Sequence, residues 1–342
     1  MKVAVLTYPH IIDIQEMPVP GIGANEILIK VMACGVCGTD VHIFEGDKGA
    51  ADNPLPIVLG HEFAGVVEKV GDGVSEVQPG DRVCVDPNIM CGRCYYCKSG
   101  IGHFCTSMTG IGTTVNGGFS QYCAVPQQQA YPLADGISFL KGAMAEPLAC
   151  CLHGIDLCEI KAGSHVVVFG GGMIGLLMVQ LARLQGASVV VLVEPVSAKR
   201  ERGLSLGADL SVDPFGEDLQ TVLSDNHIER VDKVIECVGH ADTICQAIDI
   251  AGKHSTVMMF GLTKPQQEIP LKPYEMFKKE IVLKASFINP YTIGRAVDLI
   301  NSKRVDVSSM MTKPVSLQGL AAVLADPKMR NQGKAVVDPW AE

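Results

Sequence analysis

Residues 166–185 read VVVFGGGMIGLLMVQLARLQ, and this stretch decides the fold. Residues 166–169 form a β-branched, apolar run of the kind that makes a buried strand. Residues 174–185 have the composition of a buried helix. Between them lies Gly170-Gly171-Gly172-Met173-Ile174-Gly175, a G-x-G-x-x-G turn. Gly170 permits the tight turn, Gly172 lets backbone approach a pyrophosphate, and Gly175 allows close helix packing. Glu194 ends the next strand candidate, 189–193, 24 positions beyond Gly170. An acidic group there accepts hydrogen bonds from both adenosine ribose hydroxyls and repels a 2′-phosphate, which favours NAD over NADP. Lys199 and Arg200 lie close enough to weaken that preference. The competing reading is an ordinary glycine turn beside a surface Glu, but the strand before it and the helix after it favour a dinucleotide.

Outward from this turn the chain alternates. A helix is predicted over 148–160 and another over 199–206, then a strand over 233–237, a helix over 243–250 and a strand over 256–260. That is the pattern of a parallel α/β sheet. The first 140 residues differ. Short strand candidates at 27–31, 63–70 and 83–86 are separated by Gly71-Asp72-Gly73 and Pro79-Gly80-Asp81 turns, which suggests an antiparallel barrel. The length of 342 residues suits two domains. With 19% charged and 47% hydrophobic residues, disorder is excluded as a default. A net charge of −9 argues against a nucleic-acid or anionic-membrane partner. The longest apolar run, 166–179, carries four glycines and is too short to span a bilayer. The start, MKVAVLTYPH, has no signal-peptide layout, so a cytoplasmic protein is expected.

Thirteen cysteines cannot all pair internally, and a reducing compartment favours metal ligands or buried thiols. Cys91, Cys94, Cys97 and Cys105 fall within fifteen residues. Four thiolates on short spacers can close a tetrahedral zinc site with no open position, so the site reads as structural. An iron–sulfur cluster is the minor alternative. His103 lies inside the same loop, but the four-cysteine set is complete without it. Cys84, Cys123, Cys150, Cys151 and Cys158 read as ordinary core thiols.

A second set is scattered: Cys37, His61, Glu62 and Glu146. Each alone is weak. Together they offer soft sulfur, imidazole and carboxylate, which suits a zinc with an open position that can take an alcohol oxygen.

The three features in this order resemble the zinc-dependent medium-chain dehydrogenases, the alcohol, sorbitol and threonine dehydrogenase superfamily. Further matches are GHE at 60–62, GDRV at 80–83, GGFSQY at 117–122, EPL at 146–148 and ECVG at 236–239. The resemblance implies a GroES-like β-barrel catalytic domain over 1–148 and 282–342 and a Rossmann NAD-binding domain over 149–281. It implies two zinc ions per chain. Cys37, His61, Glu62 and Glu146 match the catalytic ligands, Glu146 replacing a cysteine of alcohol dehydrogenases. Thr39 and His42 match a proton relay, with Glu62 beside the metal. Gly170, Gly172, Met173, Ile174, Gly175, Glu194, Lys199, Val238, Gly261 and Phe287 are the expected cofactor contacts.

The polyol branch looks closest, so the implied reaction oxidises a secondary alcohol of a small polyol-type substrate to a ketone with NAD. Threonine and polyol-phosphate or sugar-acid substrates are the alternatives. Sorbitol dehydrogenases carry an Arg-Tyr pair after a Phe; here the matching stretch is Phe287-Ile288-Asn289, which puts sorbitol in doubt. A homodimer or homotetramer is implied. A non-catalytic NAD-binding structural protein, as among lens crystallins, is the remote alternative, and the intact Cys37, Thr39, His42, His61 and Glu146 set argues against it.

Overall fold

The computed structural model of the protein describes residues 1–47 and 54–342. The chain forms two compact units, Met1–Ala149 with Asn289–Glu342, and Cys150–Ile288. The strands in chain order are β1 (Lys2–Tyr8), β2 (Ile11–Glu16), β3 (Glu26–Gly35), β4 (Ile57–Val58), β5 (Glu62–Val70), β6 (Arg82–Val85), β7 (Asn88–Ile89), β8 (Thr109–Gly110), β9 (Tyr122–Pro126) and β10 (Ala130–Pro132), then β11 (His165–Phe169), β12 (Val189–Val193), β13 (Leu210–Val212), β14 (Lys233–Glu236), β15 (Thr256–Met259), β16 (Val282–Ala285) and β17 (Val336–Val337). Among the described residues, no helix is long and apolar enough to cross a membrane.

The first unit is built on β3, the longest strand. It pairs antiparallel with β5, β9 and β17, in a sheet ordered β10-β6-β5-β3-β17 with β9 attached to β3. Ile27, Ile29 and Val31 alternate along β3 and are fully buried, the period of two expected of a strand with one covered face. They join Val3, Leu6, Phe63, Val83 and Phe119 in one core, to which Leu320, Val323, Leu324 and Val337 of the returning segment also belong. The first unit's core is therefore completed only by the far end of the sequence.

The second unit is a six-stranded parallel sheet ordered β13-β12-β11-β14-β15-β16. The chain starts at β11, winds outward through β12 and β13, then reverses to β14. That reversal makes the carboxyl ends of β11 and β14 the place where a dinucleotide site forms in such sheets. The predicted strand 166–169 and helix 174–185 are realised as β11 and a helix at Met173–Leu184. Val166, Val168, Leu177, Met178 and Val179 lie between the layers with no exposure.

One expected boundary is corrected. The segment from 282 was assigned to the first unit, but β16 hydrogen-bonds alongside β15, Thr256 opposite Val282. Edge pairing keeps 282–288 with the parallel sheet, and the chain re-enters the first unit at Asn289.

That re-entry is fastened by buried polar groups. Asn88 Nδ2 donates to Asn289 Oδ1 at 2.6 Å, and Asn289 Nδ2 donates to Asp86 Oδ1 at 3.4 Å. Thr292 Oγ1 donates to the carbonyl of Ala149, the last residue before the chain leaves the unit, at 2.7 Å. Burial pushes the Asp86 carboxyl up from 3.8 to about 6, against the lowering effect of its amide donors. The charged form is thus the disfavoured one. Its cost is absent below about pH 4, grows as pH rises, and is complete above about pH 6, where a shift of this size corresponds to roughly 3 kcal/mol. Asp86→Asn keeps the acceptor oxygen without the charge. The variant is expected to melt higher than the wild type at pH 7–8, with the gap closing toward pH 4; thermal melts across that range check it.

Candidate active site and metal centres

Among the described residues, three groups of metal-ligating side chains gather in the first unit; two include buried ligands and are the candidate metal centres, while the third, His42, Glu45 and Asp47, lies at the surface. In the first, Cys91, Cys94, Cys97 and Cys105 bring their sulfurs within 4.8 Å of one another. Gly92 and Gly100, at φ +68° and +75°, let the loop close on itself. Cys94 caps the short helix Tyr95–Lys98, its Sγ accepting from Cys97 N. Cys91 N and Ser107 N donate to Cys105 Sγ at 3.3 and 3.4 Å, and Cys94 N donates to Cys91 Sγ at 3.4 Å. Backbone N–H groups of Cys97 and Thr106 pull the Cys94 thiol down to about 6, whereas desolvation and neighbouring thiols push Cys97 up to about 12. Bound by Cys91, Cys94, Cys97 and Cys105, a divalent cation would resolve that conflict by favouring all four as thiolates. The spacing fits one: Sγ separations of 3.5 Å for Cys94–Cys97 and 4.0 Å for Cys91–Cys97 bracket the roughly 3.8 Å edge of a tetrahedron with Zn–S near 2.3 Å. His103 is not in the set; its buried ring packs on Phe104, centroids 4.2 Å apart. Cys84, Cys123 and Cys158 are core thiols, each pushed up to about 12 by burial.

The second cluster joins Cys37, His61 and Glu62. Cys37 is the N-cap of the helix Gly38–Phe44, and Asp40, three residues on, closes a capping box: its Oδ2 accepts from Cys37 N at 2.8 Å. The other oxygen, Oδ1, lies 3.3 Å from His61 Nδ1. One buried carboxylate therefore orients two ligands, and it leaves Nε2 as the metal-facing nitrogen of His61. Burial works against a charged His61 ring, but Asp40 and Cys37 override it and hold its pKa well above the usual imidazole value. Gly60, at φ +95°, delivers His61 to this point; a Cβ there would meet Cys34 Sγ, Phe119 Cδ1 and Phe119 N, each at 2.8 Å.

Glu62 opens β5 with no exposure, and both of its oxygens are engaged by Lys334, at 2.6 and 2.5 Å from Nζ. Burial opposes the ammonium, yet Glu62 and Cys37 keep its pKa above the usual lysine value. Gly35, paired to Glu62 across β3 and β5, leaves the room: its Cβ would fall 2.1 Å from Glu62 Oε2 and 3.1 Å from Lys334 Cε.

Glu146, expected as a further ligand, is not among the three gathered groups. It lies buried in the first turn of the helix Ala145–Cys158, and the buried charge it supports is Lys334. Thr39 and His42 lie on the Gly38–Phe44 helix, Thr39 Oγ1 at 3.7 Å from Cys37 Sγ. Sequence reasoning missed Asp40 and Lys334. Asp40 was readable in principle, since Cys-x-x-Asp at a helix start is a capping spacing. Lys334 was not, being 272 positions from its partner.

The second unit builds the glycine turn as anticipated. Gly170 is at φ +94°, and a Cβ on Gly175 would meet Gly170 O at 1.7 Å. Gly172 caps the Met173–Leu184 helix with no side-chain bond, and a Cβ there would touch nothing within 4 Å. The open helix N-terminus at Met173 and Ile174 fits a pyrophosphate. Glu194 accepts from Gly171 N at 2.6 Å and from Val196 N at 2.9 Å. Arg200 is engaged by the carbonyls of Glu194 and Pro195 and by Asp213. Lys199 is half-buried in the helix Ser197–Ser205.

Glu236 explains the ECVG motif. Fully buried, it accepts from Val238 N, Gly239 N and Thr243 Oγ1, which fixes Val238 beside Gly170. Gly261 packs against Gly239 so closely that a Cβ would lie 2.1 Å from its nitrogen. Phe287, half-buried, follows β16 at the sheet's far edge.

Residues 23–135 match the alcohol dehydrogenase GroES-like domain, and residues 173–302 match the zinc-binding dehydrogenase domain. The chain is 30% identical to D-arabinitol dehydrogenase 1 of Uromyces fabae, covering 97% of this chain and 95% of that one. A protein of Sinorhizobium meliloti 1021, solved with NADP and described provisionally as a zinc-binding dehydrogenase, is 38% identical, with a TM-score of 0.94 over 99% of both chains. An Escherichia coli CFT073 alcohol dehydrogenase complexed with NADH is 26% identical, with a TM-score of 0.90 over 99% of both.

The two clusters should separate in a metal assay. Cys94→Ser is expected to lose one metal equivalent and about 10 °C or more of melting temperature. Cys37→Ser is expected to lose the other equivalent and the activity with a smaller change in melting. Elemental analysis of the purified variants beside thermal melts checks both.

Proposed function

The chain belongs to the zinc-binding dehydrogenases with an alcohol dehydrogenase GroES-like domain, and we propose that it oxidises a secondary alcohol of a polyol to a ketone with NAD⁺. The observation that carries this reading is the Cys37–His61–Glu62 cluster braced by Asp40, in a chain that also holds an open glycine turn. When bound, zinc at that cluster supplies Lewis acidity to the substrate hydroxyl, and NAD⁺ supplies the hydride acceptor.

The chain's own residues do the rest. Asp40 holds His61 and Cys37 in place, so the ligand geometry costs little to assemble. Thr39, beside Cys37, can accept a proton from the substrate hydroxyl while donating its own. His42 lies three residues on, on the same helix face, and carries the proton toward solvent. The ligand set keeps the carboxylate-containing pattern of the polyol and threonine branches. Lys334, the buried cation at this site, is already committed to Glu62, which favours a neutral polyol over its phosphate.

NAD is the proposed cofactor, although the Sinorhizobium meliloti relative was solved with NADP. Glu194 would place a carboxylate where a 2′-phosphate sits, and Arg200 is occupied by two carbonyls and Asp213. Assembly as a homodimer or homotetramer belongs to the same reading.

The test is NADH production across C4–C6 polyols, their phosphates, sugar acids and threonine. A polyol is expected to give the highest kcat/KM; threonine or a phosphate ranking first would replace this substrate class. With the best substrate, Glu194→Ala is expected to narrow the NAD-over-NADP ratio of kcat/KM by about tenfold or more, roughly 1.4 kcal/mol. Equal rates with both cofactors in the wild type would refute the preference.

A further inference from the structure

The helix Gly38–Phe44 ends in a motif that brings one more group to His42. Gly46, in the left-handed region at φ +84°, turns the chain back, and Gly46 N donates to Ile43 O at 3.1 Å. Asp47 N donates to His42 O at 2.8 Å. This pair of bonds is a Schellman ending, which forces the second residue past the cap against the residue three from the helix end. An apolar contact usually fills that position. Here the two residues are Asp47 and His42, and Asp47 Oδ2 lies 3.2 Å from His42 Nδ1.

We propose that Asp47 is a positioning residue for His42, fixing its neutral ring as the Nδ1–H tautomer so that Nε2 is the nitrogen that receives the proton. The inference rests on the Thr39–His42 relay proposed above. A carboxylate accepts only, so the nitrogen facing it must carry hydrogen, and the lone pair is left on Nε2. The proton from Thr39 is taken at Nε2, and the imidazolium formed is paired with Asp47 until the same proton passes to water. Asp47 stays a carboxylate throughout, so the balance closes with one proton entering and one leaving the ring.

Exposure rises along this series. Thr39 is half-buried, the His42 side chain is 31% exposed and that of Asp47 is 55% exposed. The pair thus stands at the outer end of the path. Among the described residues, Glu45 is the other charged group there, its carboxylate within 4.8 Å of the His42 and Asp47 ligand atoms. Pro9 and His10 pack on Gly46 and Phe44 without pairing with the carboxylate. The helix Leu320–Ala325, which packs on the same helix, carries no charged side chain.

The experiment compares Asp47→Asn, Asp47→Glu, His42→Gln and Glu45→Gln in the metal-loaded enzyme, using the fastest polyol of the panel above and histidine-selective ¹⁵N NMR. In the wild type, His42 is expected as the Nδ1–H tautomer. Asp47→Asn, whose amide can turn either its oxygen or its NH2 to the ring and carries no charge to pair the imidazolium, should leave a mixture of both tautomers, lower kcat about three- to tenfold with the polyol KM unchanged, and raise the solvent isotope effect on kcat. Asp47→Glu should restore part of the rate, added imidazole buffer should rescue Asp47→Asn and His42→Gln, and Glu45→Gln should match the wild type.

If His42→Gln slows turnover but Asp47→Asn keeps both tautomer and rate, the inference fails and the relay stands. If Asp47→Asn only lowers melting temperature, with the tautomer kept, Asp47 is a helix stop and the inference fails. If His42→Gln changes neither kcat nor the isotope effect, the relay itself fails and the role of Asp47 falls with it.

Discussion

The buried pair of Glu62 and Lys334 is the constraint around which the first unit is organised. Two opposite charges sit with almost no exposure, where removing one partner typically costs about 3–5 kcal/mol because the other is left unpaired. Their neighbours follow from that. Gly35 must be glycine, since any Cβ would strike the carboxylate. Lys334 is held at its backbone by Met310 and Thr312, and β17 follows it immediately into β3. One electrostatic contact thereby ties the returning segment to the strand that presents His61 and Glu62.

A second carboxylate works by a different logic. Asp40 accepts the N–H of Cys37 with one oxygen and sets the other 3.3 Å from His61 Nδ1, an ion-pair contact. A helix cap and a ligand brace are the same side chain, so the start of the Gly38–Phe44 helix and the shape of the metal cluster are determined together. Glu236 repeats the economy in the second unit, where one buried carboxylate orders the whole turn after β14.

Local rules carried most of the fold. The glycine turn between an apolar strand and helix, the alternation after it, and the four clustered cysteines are all short-range signals, and the structure realises them as β11 with its following helix, a parallel sheet and one four-sulfur cluster. Cys37, His61 and Glu62 were individually weak and needed the family resemblance to be joined. What stayed illegible was long-range. Nothing in residues 282–285 alone tells an edge strand of a parallel sheet from a segment of the barrel; only pairing with β15 decides it. Lys334 is an ordinary lysine until the fold brings it to Glu62. Glu146 is expected as a ligand from motif matching; the gathered group is Cys37, His61 and Glu62, and Glu146 is buried at the start of its helix, where its charge helps hold Lys334 protonated.

The interleaving of the two units sets an order of assembly on the ribosome. Residues 150–288 are contiguous and hold a complete sheet, so that unit can fold as soon as it emerges. The first unit cannot, because Glu62 waits through 272 further residues for its ammonium. At typical synthesis rates that is on the order of tens of seconds. During that interval Cys37, His61 and an uncompensated Glu62 are present without Lys334. Closure of the Cys37–His61–Glu62 cluster is therefore a late event of synthesis, timed by the arrival of a single lysine near the other end of the sequence.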